Sequence, residues 1–156
     1  MYKTEVDFDR LQKELGDDYV ILFRAHYFIS NTFDFSKYEG FIYNVSLLDD
    51  INELYIVSDM LITDYSSVFF DYAILKRPIV YFMYDYELYK NEMRGFYIDL
   101  DELPGPIVQD EGALIEQIKA LSDNFVFDEK YKRFNGKYNY LDDANASRRL
   151  VERLIK

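Results

Sequence analysis

An α/β fold with a parallel sheet flanked by helices follows from three features of the chain. Short apolar runs alternate with stretches of helical periodicity, the order that βαβ units require. One run, Tyr19-Val20-Ile21-Leu22-Phe23, is apolar at every position, as a strand covered on both faces must be. Turn signals separate the segments at spacings that leave room for crossover helices but for no interdomain linker, repeat or low-complexity tract. With 156 residues and 49% hydrophobic content, the chain is long enough to bury the core of one domain, residues 1–156.

The elements follow in order. Phe8, Leu11 and Leu15 have helical spacing over residues 7–15, closed by Gly16. Residues 19–23 make the first strand and residues 41–45 the second. Asp49 and Asp50 open a helix through Ile51, Leu54, Tyr55 and Val57, with their carboxylates at its positive end. Residues 60–63 form the third strand and residues 67–75 the next helix. Arg77-Pro78 ends that helix, and residues 79–83 form a fourth strand. Residues 86–93 are expected to be helical up to Gly95, residues 96–99 to be a short strand, and residues 103–106 to be a loop. Helices over residues 111–121, 128–135 and 144–155 complete the chain.

Composition removes several classes of function. The net charge of −11, from 29 acidic and 18 basic residues, opposes non-specific nucleic-acid binding, which needs a basic face. There is no cysteine and a single histidine, so disulfides, thiolate metal sites and multi-histidine metal sites are excluded. No apolar run approaches the length needed to span a bilayer, and no signal peptide is visible, so the segment reads as soluble. Neither a metal nor an organic cofactor is expected.

The segment Ser58-Asp59-Met60-Leu61-Ile62-Thr63-Asp64-Tyr65-Ser66-Ser67 carries most of the functional signal. A buried strand runs into a polar turn that delivers two hydroxyls to the start of a helix. There, free N–H groups and the helix dipole suit a phosphate. Ordinary helix capping uses the same residue types. Ligands of parallel sheets collect beyond the carboxyl ends of the strands. His26, the turn of Asp64, Tyr65, Ser66 and Ser67, Asp85, and the loop from Asp99 to Pro106 all follow expected strands, so all are expected along one sheet edge.

Arg24 and His26 follow the first strand directly. His26 is the one side chain that titrates near neutral pH without a large shift, which suits a general base or a donor to phosphate oxygen; a capping or buried imidazole is the plainer role. Arg24 is placed to pair with an acid such as Asp64 or to hold a phosphate. Arg94 beside Gly95 offers a forked donor next to backbone that can approach a ligand closely, or simply a helix end with a surface arginine. Pro104-Gly105-Pro106 could present backbone groups to a base or sugar, or serve as a crossover turn. Asp142 and Asp143 read as capping carboxylates rather than as a hydrolytic pair. A receiver-domain reading of Asp64 fails, because Arg24-Ala25-His26 stands where an acidic Mg²⁺-holding pair is needed.

These residues resemble the CDP-glycerol:poly(glycerophosphate) glycerophosphotransferases, the teichoic acid polymerase family. The resemblance rests on five ordered motifs. They are Leu22-Phe23-Arg24-Ala25-His26-Tyr27; the run from Ser58 through Ser67 to Ala73; and the run from Arg77 to Asp85. The last two are Arg94-Gly95-Phe96-Tyr97-Ile98-Asp99 with Pro104-Gly105-Pro106, and Phe134-Asn135 through Asp142-Asp143 to Ser147. One departure is Asp143-Ala144-Asn145, where the family usually has Asp-Asp-Gly.

The resemblance implies a Rossmann-like domain, the C-terminal, nucleotide-binding half of a GT-B-type transferase whose acceptor half is absent from this sequence. It implies transfer of glycerol phosphate, or another polyol phosphate, from its CDP-activated form to a growing teichoic acid chain, with release of CMP. By the same resemblance His26 is catalytic or touches phosphate, and Ser66 and Ser67 hold the pyrophosphate at the end of the strand that closes on Thr63. Asp64 orders the turn, Arg24 and Arg94 neutralise the leaving phosphate, and Gly95, Pro104 and Gly105 border the nucleotide. The partners implied are a CDP-polyol and a teichoic acid acceptor. Association with the cytoplasmic face of the membrane would come through segments outside this chain. The alternative is the nucleotide-sugar-binding half of another GT-B-like glycosyltransferase or epimerase; a non-catalytic module with an aromatic surface is a third.

Overall fold

The computed structural model describes residues 6–25, 34–93 and 98–155. Its elements run α1 (Phe8–Leu15), β1 (Ile21–Phe23), β2 (Ile42–Asn44), α2 (Ile51–Val57), β3 (Leu61–Thr63), α3 (Val68–Ala73) and β4 (Ile79–Phe82). After them come α4 (Tyr86–Leu88), β5 (Ile107–Val108), α5 (Glu111–Asn124), α6 (Glu129–Tyr138) and α7 (Ala146–Leu154). Every strand pair is parallel, so the α/β class read from the sequence holds. The single expected sheet is instead two ladders, β1–β2 and β3–β4–β5, with no ladder between them among the described residues.

β4 shows why the domain is layered. All four of its residues are buried, and they alternate between two cores. Val80 and Phe82 face a core shared with α1, α5, Phe41 and Ile42, which unites the two ladders on that side. Ile79 and Tyr81, with Met83 just beyond, face a second core filled by Tyr55 of α2, Phe69 and Tyr72 of α3, and Tyr131 and Phe134 of α6. Helices on both faces of a central strand require the fully apolar pattern that residues 79–83 display.

Local chemistry sets the helix boundaries. Asp7, Asp50, Asp110 and Asp128 each accept a backbone N–H at the start of α1, α2, α5 and α6. α3 ends after Ala73, and the chain turns through Lys76, whose φ of 57° lies in the left-handed region. Residues 86–93 wind as one α-helical turn followed by a π-helical turn, Tyr89–Met93.

The expected strand over residues 96–99 needs correction. Residues 96 and 97 lie outside the described residues. Asp99 is no strand residue: it caps a 3₁₀ turn, Leu100–Glu102, by accepting the Asp101 N–H at 3.0 Å. The fifth strand is Ile107–Val108, after the proline loop instead of before it. α7 buries none of its residues and leaves Leu150, Val151 and Leu154 exposed, as is Ile155 at its C-cap. Among the described residues no helix is long and apolar enough to cross a membrane.

Candidate functional site

The turn after β3 is built as a strand-to-helix junction. Leu61 and Thr63 are half-buried, their register fixed against Ile79 and Tyr81 of β4. At Asp64 the chain leaves the sheet, and the Asp64 carboxylate accepts the Ser66 N–H at 3.1 Å, folding the turn onto itself. Ser67 occupies the N-cap position of α3 in helical geometry, with no side-chain capping bond. Ser66 and Ser67 are both exposed. Among the described residues neither hydroxyl has a hydrogen-bond partner, so plain capping does not account for them. α3 is six residues long, which limits what its dipole can add.

Tyr65 ties this turn to the one that follows β4. Its hydroxyl donates to the Asp85 carboxylate at 2.8 Å, and its ring stacks on Tyr89 with centroids 3.6 Å apart and planes within 9°. Burial, and then the bond to Asp85, push the Tyr65 phenol far above its ordinary range, so it stays a donor. Asp85 is visible in the sequence as a residue following a strand; Tyr65 and Tyr89 are not visible there as its partners. The pairing of Thr63 with Tyr81 is the cue that could find them, because it carries residue 65 toward residues 83 to 85.

On the other ladder, Arg24 follows β1 and its guanidinium donates to the Leu48 carbonyl at 2.5 Å. The Ala25 N–H donates to the Ser46 hydroxyl at 2.9 Å, and the Ser46 N–H to the Asn44 side chain at 3.1 Å. Arg24 is thus held against the loop after β2; among the described residues it makes no ion pair, so the expected pairing with Asp64 is not seen. Its charge reaches the Tyr55 phenol, where it offsets part of the upward push from burial and from Asp71. His26, Arg94 and Gly95 lie outside the described residues.

Pro104 and Gly105 do not join this edge. Because the loop precedes β5, Pro106 accepts the Tyr81 N–H at 2.9 Å and Gly105 lies against Ile79, the first residue of β4. These residues therefore sit toward the amino end of the sheet, away from Ser66. A cavity of about 380 Å³ opens there, lined by Pro104, Gly105, Pro106, Phe125, Val126 and Lys130 among others, remote from the strand carboxyl ends. The correction follows from the position of the fifth strand, since a loop after a strand and a loop before one lie at opposite edges of a parallel sheet.

The described part of the site is thus an α/β domain whose turn beyond β3 exposes two unengaged hydroxyls beside a braced turn beyond β4. No group of three or more metal-ligating side chains is found among the described residues.

Comparison with known proteins agrees with that class and narrows it. The sequence model of the CDP-glycerol:poly(glycerophosphate) glycerophosphotransferases matches residues 1–156, and the chain belongs to this family. It is 43% identical to a teichoic acid poly(glycerol phosphate) polymerase of Bacillus subtilis (strain 168) over 99% of this chain and 21% of that one. It is 42% identical to a teichoic acid glycerol-phosphate transferase of Staphylococcus aureus (strain NCTC 8325), over 99% of this chain and 40% of that protein. The structure of the wall teichoic acid polymerase TagF superposes with a TM-score of 0.86 at 45% identity, covering 96% of this chain and 37% of that chain. A TagF variant soaked with CDPG superposes equally well. The chain therefore spans between about a fifth and two fifths of the length of these relatives.

Proposed function

We propose that this chain is the donor-binding domain of a transferase that moves glycerol phosphate, or a related polyol phosphate, from its CDP-activated form to a teichoic acid chain. The observation that carries the reading is the turn from Asp64 to Ser67, which exposes two unengaged hydroxyls at a strand-to-helix junction within a chain matched end to end by the family. In this reading the hydroxyls of Ser66 and Ser67 donate to pyrophosphate oxygens, with Thr63 ending the strand that presents them. Asp64, through its bond to the Ser66 N–H, holds the turn in shape. Hydroxyl donors suit a diphosphate because they reorient to whichever oxygen gains charge.

The reaction is displacement at phosphorus. The terminal hydroxyl of the acceptor attacks the phosphorus that bears glycerol, a P–O bond forms, the pyrophosphate bridge breaks, and CMP departs with the bridging oxygen. Negative charge then grows on the leaving phosphate, where Arg24 and Arg94 would be most useful. The acceptor proton needs a base, and His26 is the residue of suitable range by sequence. Acceptor alignment, and location at the cytoplasmic face of the membrane, belong in this proposal to the whole protein.

Titration calorimetry with CDP-glycerol, CMP and UDP-sugars tests the assignment. The expected result is binding of cytidine nucleotides with no heat from UDP-sugars. Binding of a UDP-sugar with cytidine nucleotides silent would assign the site to nucleotide-sugar chemistry instead.

A further inference from the structure

Tyr65, Asp85 and Tyr89 lie in turns that follow different strands, yet they form one half-buried cluster. The Tyr65 hydroxyl meets Asp85 at 2.8 Å, and the backbone carbonyl of that same Asp85 accepts the Tyr89 N–H at 3.0 Å. Tyr89 lies under the Tyr65 ring and begins the π-helical turn that runs to Met93. Single π turns recur at functional sites because an extra residue re-aims the chain beyond it. On the other side, Tyr65 sits between Asp64 and Ser66, which are joined by the Asp64 carboxylate. An unbroken line of contacts therefore runs from the Ser66 amide to the π turn.

We propose that Tyr65 is a positioning residue that latches the turn carrying Ser66 and Ser67 to the turn after β4, so that a CDP-linked polyol meets both as one preformed wall. The inference rests on the donor-site reading above and adds to it the residue that fixes the site's shape. An aromatic donor suits this role, because the ring stacks while the hydroxyl selects one acceptor, and a hydrogen bond to a carboxylate is charge-assisted and directional. A site held in this way spends little binding free energy on ordering its loops, so loosening it weakens the ligand even though Tyr65 need not touch it.

Two measurements on the chain decide the matter. In amide hydrogen exchange without ligand, Tyr65→Phe and Asp85→Ala should each raise exchange by about threefold or more in both segments, 64–67 and 85–90. The double variant should go no further than either single one, while Asp85→Asn, whose amide oxygen still accepts, stays near the unmutated protein. A rise in one segment only, or additive rises in the double variant, would overturn the latch. In calorimetry, Tyr65→Phe should weaken CDP-glycerol by about tenfold with little change in melting temperature. Equal affinity in Tyr65→Phe and the unmutated protein would also overturn it. If the unmutated chain ignores cytidine nucleotides while both segments still loosen together, the latch stands and the donor reading falls.

Discussion

The two edges of the β3–β4–β5 ladder are built on opposite plans. At the amino edge the polar groups are tied to one another. Arg77 donates to the carbonyls of Tyr55, Ile56 and Ser58; the Tyr72 hydroxyl also donates to Ser58 at 2.9 Å; and Tyr131 donates to the Arg77 carbonyl at 2.8 Å. Asn135 of α6 and Asn139, its C-cap, reach the carbonyls of Ala73 and Phe70, each at 2.8 Å, closing the end of α3. Burial pushes the Tyr72 phenol up to about 12, so that joint keeps its donor throughout the useful pH range. At the carboxyl edge, Ser66 and Ser67 keep their hydroxyls exposed, and only the frame around them is braced. One edge ties Arg77, Tyr72, Tyr131, Asn135 and Asn139 to main-chain carbonyls; the other leaves the hydroxyls of Ser66 and Ser67 without partners among the described residues. Substitutions at the first should act on stability, and those at the second on ligand.

Gly105→Ala should break the contrast most sharply. An added Cβ would lie 1.9 Å from the Ile79 carbonyl oxygen, which is main chain and cannot swing away. A loss of about 3 kcal/mol is expected in urea unfolding, with CDP-glycerol affinity of the remaining folded protein unchanged. A parallel loss of affinity would place Gly105 in the donor site after all.

Ser66→Ala combined with Ser67→Ala tests the other edge. CDP-glycerol affinity should fall about tenfold, or about 1.4 kcal/mol, while stability moves by less than about 0.5 kcal/mol because no capping bond is lost. Smaller effects refine the picture. Lys76→Gly relieves a left-handed residue at the close of α3 and should add about 0.5–1 kcal/mol of stability without touching binding.

Glu102 gives a pH signature at the amino edge. Its carboxyl is held below the ordinary range by hydrogen bonds, first from Lys137 and then from Tyr138. A depressed native value means the stabilisation is present above the ordinary carboxylate value of 4.5 and disappears as pH falls through the native one. The melting-temperature difference between the unmutated protein and Glu102→Gln should therefore be greatest near neutrality and close on acidification. A difference that persists in acid would assign the effect to packing.

Where the sequence is legible, the reason is local. The apolar run of residues 79–83 can only be a strand covered on both sides, and the capping aspartates mark four helix starts. The turn at Asp64 is legible because strand, acid and serines fall within one short stretch. β5 is not, since two residues behind a proline carry no period, and without it Pro104 and Gly105 fall at the wrong edge. The Tyr65–Asp85 bond joins residues twenty apart, and no local pattern announces it. The family resemblance supplies what periodicity cannot, namely the class of chemistry.

Arg24 follows a strand of the β1–β2 ladder and Ser66 lies in the turn after a strand of the other, with no strand pairing between the two ladders among the described residues. Their spacing is consequently governed by interdigitated apolar side chains such as Ile42, Val80 and Phe82, which can slip by tenths of an ångström where a backbone ladder would hold register. If Arg24 and Ser66 both meet one CDP-polyol, as proposed, the volumes of residues along this seam set the span of the site.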